Sequence, residues 1–343
     1  MAVATAPAPA APAPATSAPA SWRATHPILD LVYRRGLAGI VTLFAVSIVV
    51  FVATQILPGN AAYSVLGRTA TPGRLHALEQ QLHLNRPALD QYWVWLSGLF
   101  TGKLGNSLAN NLPVWGQIEP RLVDSSALVF ISGAIGTLLG VAFGALAALR
   151  KDSVFDHVSS VVALAVTSLP EFVIGIALII FFATDVFHLL PAVSFLGEGV
   201  YFWNAPKLLV LPIATLIIVI IPYIYRMMRA AMVEALESEY VEMARLKGVP
   251  ARRLVIKHAL PNAIAPTIQV VGLNFLYLAG GIVIVEVLFG YPGIGQGLYF
   301  AVQNRDIPEI QLIVLILAAF YVFMNILTDV IALLATPRRR IAR

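Results

Sequence analysis

Six long apolar runs punctuate the chain, over residues 36–57, 125–149, 158–184, 207–228, 265–289 and 309–335. At about 1.5 Å per residue each is at least the roughly 20 residues that cross a 30 Å hydrocarbon core. None alternates apolar with polar positions, as the strands of a membrane barrel would. A spanning segment must satisfy its own backbone groups, so each run reads as a helix. The pattern predicts an all-α membrane protein of six spans, with a domain covering residues 31–343.

The polar intervals set the expected orientation. Lys and Arg cluster before the first run (Arg23, Arg34, Arg35) and after the second (Arg150, Lys151). Seven more fall between the fourth and fifth runs (Arg226, Arg229, Arg245, Lys247, Arg252, Arg253, Lys257). Arg338, Arg339, Arg340 and Arg343 end the chain. That side holds 16 of the 23 basic residues, so both termini are expected in the cytoplasm. The 58–124 and 185–206 loops then face outward, with Tyr92, Trp93, Trp95, Trp115, Tyr201 and Trp203 suited to an interfacial belt. Within 58–124, Thr71-Pro72 is a helix start and Asn85-Arg86-Pro87 a break. Two short helices are expected over the outer mouth. Residues 1–30 form an Ala/Pro-rich tail that reads as disordered, and it lacks the form of a signal peptide.

Composition sharpens the class. Of 343 residues 59% are hydrophobic and 12% charged, with a mean hydropathy of +0.81. No cysteine occurs, which removes thiol catalysis, cysteine metal sites and disulfides. The net charge of +5 follows the membrane-side pattern above, so no nucleic-acid partner is inferred. Gly102-Lys103 lacks the spacing of a phosphate-binding loop, no HExxH occurs, and the six His are scattered. No catalytic or metal-ligating set is expected, and energy from ATP would have to come from a partner.

The informative interval is Glu234 to Pro266, EALESEYVEMARLKGVPARRLVIKHALPNAIAP. Glu234 to Lys247 is a good helix former, Gly248 a natural helix stop, and Pro250 a restart. Read alone it is a solvated amphipathic loop. Its spacing, however, is Glu242-Met243-Ala244, three residues, Gly248, then Leu260-Pro261. This resembles the EAA loop of ABC importer permeases, with Met243 for the middle Ala and His258 for the Ile before Leu-Pro. Other landmarks are similar to the dipeptide, oligopeptide and nickel branch, first permease type. They include Leu57-Pro58-Gly59-Asn60, Gly105-Asn106-Ser107-Leu108, Ser168-Leu169-Pro170-Glu171-Phe172, Pro292-Gly293-Ile294-Gly295, Asn304-Arg305-Asp306 and Asp329. Together they cover roughly residues 35 to 337.

The resemblance implies a permease half of a binding-protein-dependent importer in a bacterial plasma membrane. Its implied partners are a second homologous permease, two ATPase subunits and an extracellular substrate-binding protein. ATP and Mg would sit on the ATPases, with no cofactor on this chain. Tyr240, Glu242, Ala244, Arg245, Lys247, Gly248 and Pro261 would form the coupling helix and its flanks. A short peptide is the implied substrate; nickel or another small solute is the alternative within the branch.

Three acids within the runs stand out: Glu171, Glu286 and Asp329. An ionisable group at membrane depth is costly unless paired, hydrated or neutral. Glu171 follows Pro170, which kinks a helix, and faces either the pathway or a partner that steadies the kink. Glu286 either caps the outer turn, snorkels, contacts the second permease or gates the outer mouth. Asp329 is expected to pair with a cytoplasmic Arg. Gly136, Gly140 and Gly144 lay a smooth stripe suited to helix packing, while Gly280-Gly281 serves either bending or close approach. The competing classes are a stand-alone transporter or channel using these acids as an ion relay, and a structural scaffold.

Overall fold

The computed structural model describes residues 27–56, 71–73, 86–197 and 202–335. The tail up to residue 26, the Leu57-to-Asn60 turn, the first outer-loop helix beyond Gly73, and the last eight residues lie outside them. Among the described residues there is no strand. Helix α1 runs Pro27–Ile56, α2 Ala88–Thr101, α3 Val114–Leu149, α4 Val154–Thr167 and α5 Glu171–Ile179. Then come α6 Pro206–Leu236, α7 Glu239–Leu246, α8 Ala251–Phe289 with a π-turn at Leu254–Ala259, α9 Ile294–Asn304 and α10 Ile307–Ala335.

Five helices (α1, α3, α6, α8, α10) are each long and apolar enough to cross a membrane. The remaining apolar run is a bent helix pair, not a sixth straight span. Helices α4 and α5 meet at 103°, so the 158–184 run is two helices rather than one kinked helix. Pro170 holds φ −60°, ψ 145°, an extended conformation that stops α4 and starts α5 at Glu171. Other boundaries shift too. The first span begins at Pro27, inside the interval expected to be tail. The second begins at Val114, because Gln117, Glu119 and Arg121 continue its helix beyond the apolar run. Glu234 to Lys247 is not one helix: α6 ends at Leu236, and α7 starts after Ser238. Arg226 and Arg229 therefore belong to α6, not to a loop.

The core is α3 against α6, with α8 packed on both. Leu128, Leu216, Ile220, Ile224, Leu278 and Ile282 fill its centre. The glycine stripe sets the α3–α6 distance. A Cβ on Gly140 would sit 2.8 Å from Ile224, and one on Gly144 2.6 Å from the Tyr225 carbonyl. Small residues let backbones approach this closely. Helix α1 lies outside, on α10. Arg35 pairs with Asp329 at 2.7 Å near one end, and Gln311 donates to Thr54 at 2.8 Å near the other. Asp329 is thus paired, as expected. Helix α2 rests on α1 through Tyr92, whose hydroxyl lies 2.8 Å from Ser47.

Candidate functional site

Helix α7 stands at the junction of α6 and α8. Val241 is its fully buried anchor. Glu242, Met243, Arg245, Leu246 and Lys247 are exposed, with Leu246 at 76%. The side chains of Glu242, Arg245 and Lys247 have no hydrogen-bonding or ionic partner among the described residues. The helix ends in a Schellman turn. Val249 N–H donates to the Ala244 carbonyl at 3.2 Å, and Gly248 N–H to the Arg245 carbonyl at 3.0 Å. Gly248 has φ +76°, where a side chain is strained, so glycine is what lets the chain reverse here.

Tyr240 points back to the start of α8. Asn262 Nδ2 donates to the Tyr240 hydroxyl at 2.9 Å and to the His258 carbonyl at 2.7 Å. Pro261 sits one residue before this staple. Asn262 was not singled out from the sequence, where an Asn after Leu-Pro has no visible partner.

Two ion pairs tie this end together. Arg229 on α6 grips Asp156, at the first turn of α4, through both carboxylate oxygens at 2.5 and 2.6 Å. Asp156 is 2% exposed. Lys151 in the α3–α4 turn pairs with Glu237 just before α7, and that carboxylate holds the ammonium above its usual value. The partners of each pair lie 73 and 86 positions apart, so nothing local announced the pairs.

Between α4, α6 and α8 lies a cavity of about 860 Å³, lined among others by Ser160, Tyr223, Arg226, Arg229, Asn274 and Tyr277. Glu171 stands behind its wall. It is 8% exposed and accepts a 2.9 Å hydrogen bond from Tyr277. Gly281 makes that approach possible, since a Cβ there would lie 2.7 Å from Glu171 Oε2. Gly280 meets nothing within 4 Å.

At the opposite end Glu286 is fully buried. Ser125 donates to it at 2.6 Å, and the Gly295 and Gln296 amides donate at 2.7 and 3.0 Å. It therefore caps α9 rather than its own helix, and its burial inside the chain leaves it no surface for a second permease. Gly293 and Gly295 are small because Glu286 fills the space a side chain would take. Asp306 does the same for the outer loop. It accepts from Ser107, from the Leu108 and Ala109 amides at 3.1 and 3.4 Å, and from Glu309 N–H at the start of α10. Two landmarks that look separate in the sequence are one buried joint.

The comparisons with known proteins agree with this arrangement. Residues 140–341 match the family model described as binding-protein-dependent transport system inner membrane component, and residues 28–128 match its N-terminal companion. The chain belongs to that family. It is a multi-pass inner-membrane transport component. Its relatives include a probable peptide ABC transporter permease protein of Sinorhizobium fredii, 33% identical over 90% of this chain and 98% of that protein. The dipeptide transport system permease protein DppB of Alkalihalophilus pseudofirmus is 33% identical over 91% of this chain and 99% of its own length. A glutathione transport system permease protein of Escherichia coli stands at 33% over 91% and 99%. The match to whole relatives covers α1 to α10.

Proposed function

We propose that this chain is one permease half of an ATP-driven importer of short peptides, with both termini in the cytoplasm. A second homologous permease would complete the pathway. Two ATPase subunits carrying ATP and Mg would seat on the α7 side, and an extracellular binding protein would deliver substrate to the other. The chain itself carries no hydrolytic machinery in this reading.

The observation that carries it is α7: a short helix anchored at one buried residue, with an unpaired charged and apolar face at the joint of two spans. A coupling helix needs that arrangement, free on the face that docks and rigid where it joins the spans. The names of the relatives support peptides as substrate. So does the cavity, whose basic and aromatic lining suits an anionic or zwitterionic organic solute and repels a nickel cation. The ion-relay reading loses ground because Glu286 and Asp329 are committed to bonds within the chain.

The test is co-purification and coupling of the importer reconstituted with its ATPases and binding protein. Wild type should carry both partners and link ATP hydrolysis to dipeptide uptake. Glu242→Lys should lower uptake about tenfold, equivalent to roughly 1.4 kcal/mol at the docking surface, while the protein stays folded. A wild-type chain that purifies alone, with uptake indifferent to ATP, would end the proposal.

A further inference from the structure

The cavity wall carries one cation that no acid among the described residues neutralises. Arg229 is occupied by Asp156 through two bonds. Arg226, three residues earlier on the same helix and so about 4.5 Å along its axis, also lines the cavity. It is exposed, and no acceptor binds it among the described residues. Arg226 follows directly on the apolar stretch of its helix and is exposed, so its guanidinium is open to a ligand in the cavity. Its planar fork matches a carboxylate with two parallel hydrogen bonds.

The neighbouring surface is built to hold something against it. Tyr223 lies one turn from Arg226 towards the start of α6. Its ring stands 6.3 Å from that of Tyr277, tilted by 44°. Tyr277 spends its hydroxyl on Glu171, which is itself fixed at the Pro170 break. The Tyr277 ring is thus held from behind and presents its open side to the cavity. A rigid aromatic pair beside an unpaired guanidinium takes a small organic anion: carboxylate on the arginine, chain against the rings.

We infer that Arg226, with Tyr223 and Tyr277, is the pathway site that takes the C-terminal carboxylate of the transported peptide. This rests on the peptide-importer reading and adds to it a requirement on the substrate. Glu171 is a positioning residue here. It orients Tyr277 and does not touch the peptide.

The test is equilibrium binding of dialanine and of its C-terminal amide to the detergent-solubilised importer without binding protein, read by saturation-transfer NMR. Leaving out the binding protein removes its own preference from the result. Wild type should bind dialanine about tenfold more tightly than the amide, roughly 1.4 kcal/mol. Arg226→Gln should abolish that preference, and Arg226→Lys should retain only part of it, because a point charge attracts a carboxylate but cannot make the two parallel bonds. Tyr223→Leu should weaken both ligands alike. Equal binding of the two ligands to wild type, or a preference that survives in Arg226→Gln, overturns the inference. ATP-driven uptake of dialanine by the complete wild-type importer is measured beside it. Absent uptake brings down the peptide reading; normal uptake with no carboxylate preference brings down this inference alone.

Discussion

Single residues at the two ends of the bundle are constrained by different physics. Gly248 answers to backbone geometry: it is open on all sides, yet its φ of +76° strains any L side chain. Gly248→Val should cost about 1–2 kcal/mol in the α7 turn, lowering ATP-coupled uptake while the thermal midpoint of the spans in detergent barely moves. Gly295 answers to space. A Cβ there would lie 2.5 Å from the Val283 backbone and 3.0 Å from Glu286 Oε2. Gly295→Ala should destabilise by about 1–3 kcal/mol through overpacking, visible as a lower midpoint for the whole protein. Both glycines sit in landmarks readable from the sequence. The reason for each was not readable, because a strained φ and a carboxylate arriving from another helix leave the same letter.

At the element scale, the contacts that matter join helices distant in the chain. Asp156 and Arg229 lock α4 to α6 just before α6 hands over to α7. Asp156→Asn should leave the partly buried guanidinium without its counter-charge, costing about 3 kcal/mol. A thermal unfolding scan would register that, and the charge-swapped pair Asp156→Arg with Arg229→Asp should recover part of it. The glycine stripe of α3 is the other joint. Gly144→Val places atoms against the Tyr225 carbonyl and the Arg229 amide, so it should separate α3 from α6 and lower the midpoint more than Gly36→Val, which meets nothing within 4 Å. The stripe was legible because it repeats every four residues on one helix. The ion pair was not, since 73 positions separate its partners.

At the scale of the whole molecule, the two ends have opposite characters. The α7 end is held by ion pairs and a Tyr240–Asn262 staple around an exposed charged face. The far end is closed by Glu286 and Asp306, each buried and each accepting backbone amides. One end leaves a charged face open and the other holds its own loops in place. Asp306→Ala should release the 105–113 loop from the start of α10. Hydrogen exchange at Leu108 and Ala109 should then quicken, while the α7 end keeps its protection.

Apolar run length and the backbone's need for internal hydrogen bonds dictated an all-helical membrane protein built from six apolar runs, and ordered motif spacing placed the chain in its family. Those are local properties, and a linear pattern carries them. Tertiary structure alone decided that the third apolar run is two helices at 103°, because Pro170 permits a kink or a full break and only neighbouring helices select between them. It also decided where the acids go. A carboxylate in an apolar run announces that it needs a partner; whether that partner is Arg35, Ser125 or Tyr277 depends on which helices pack side by side.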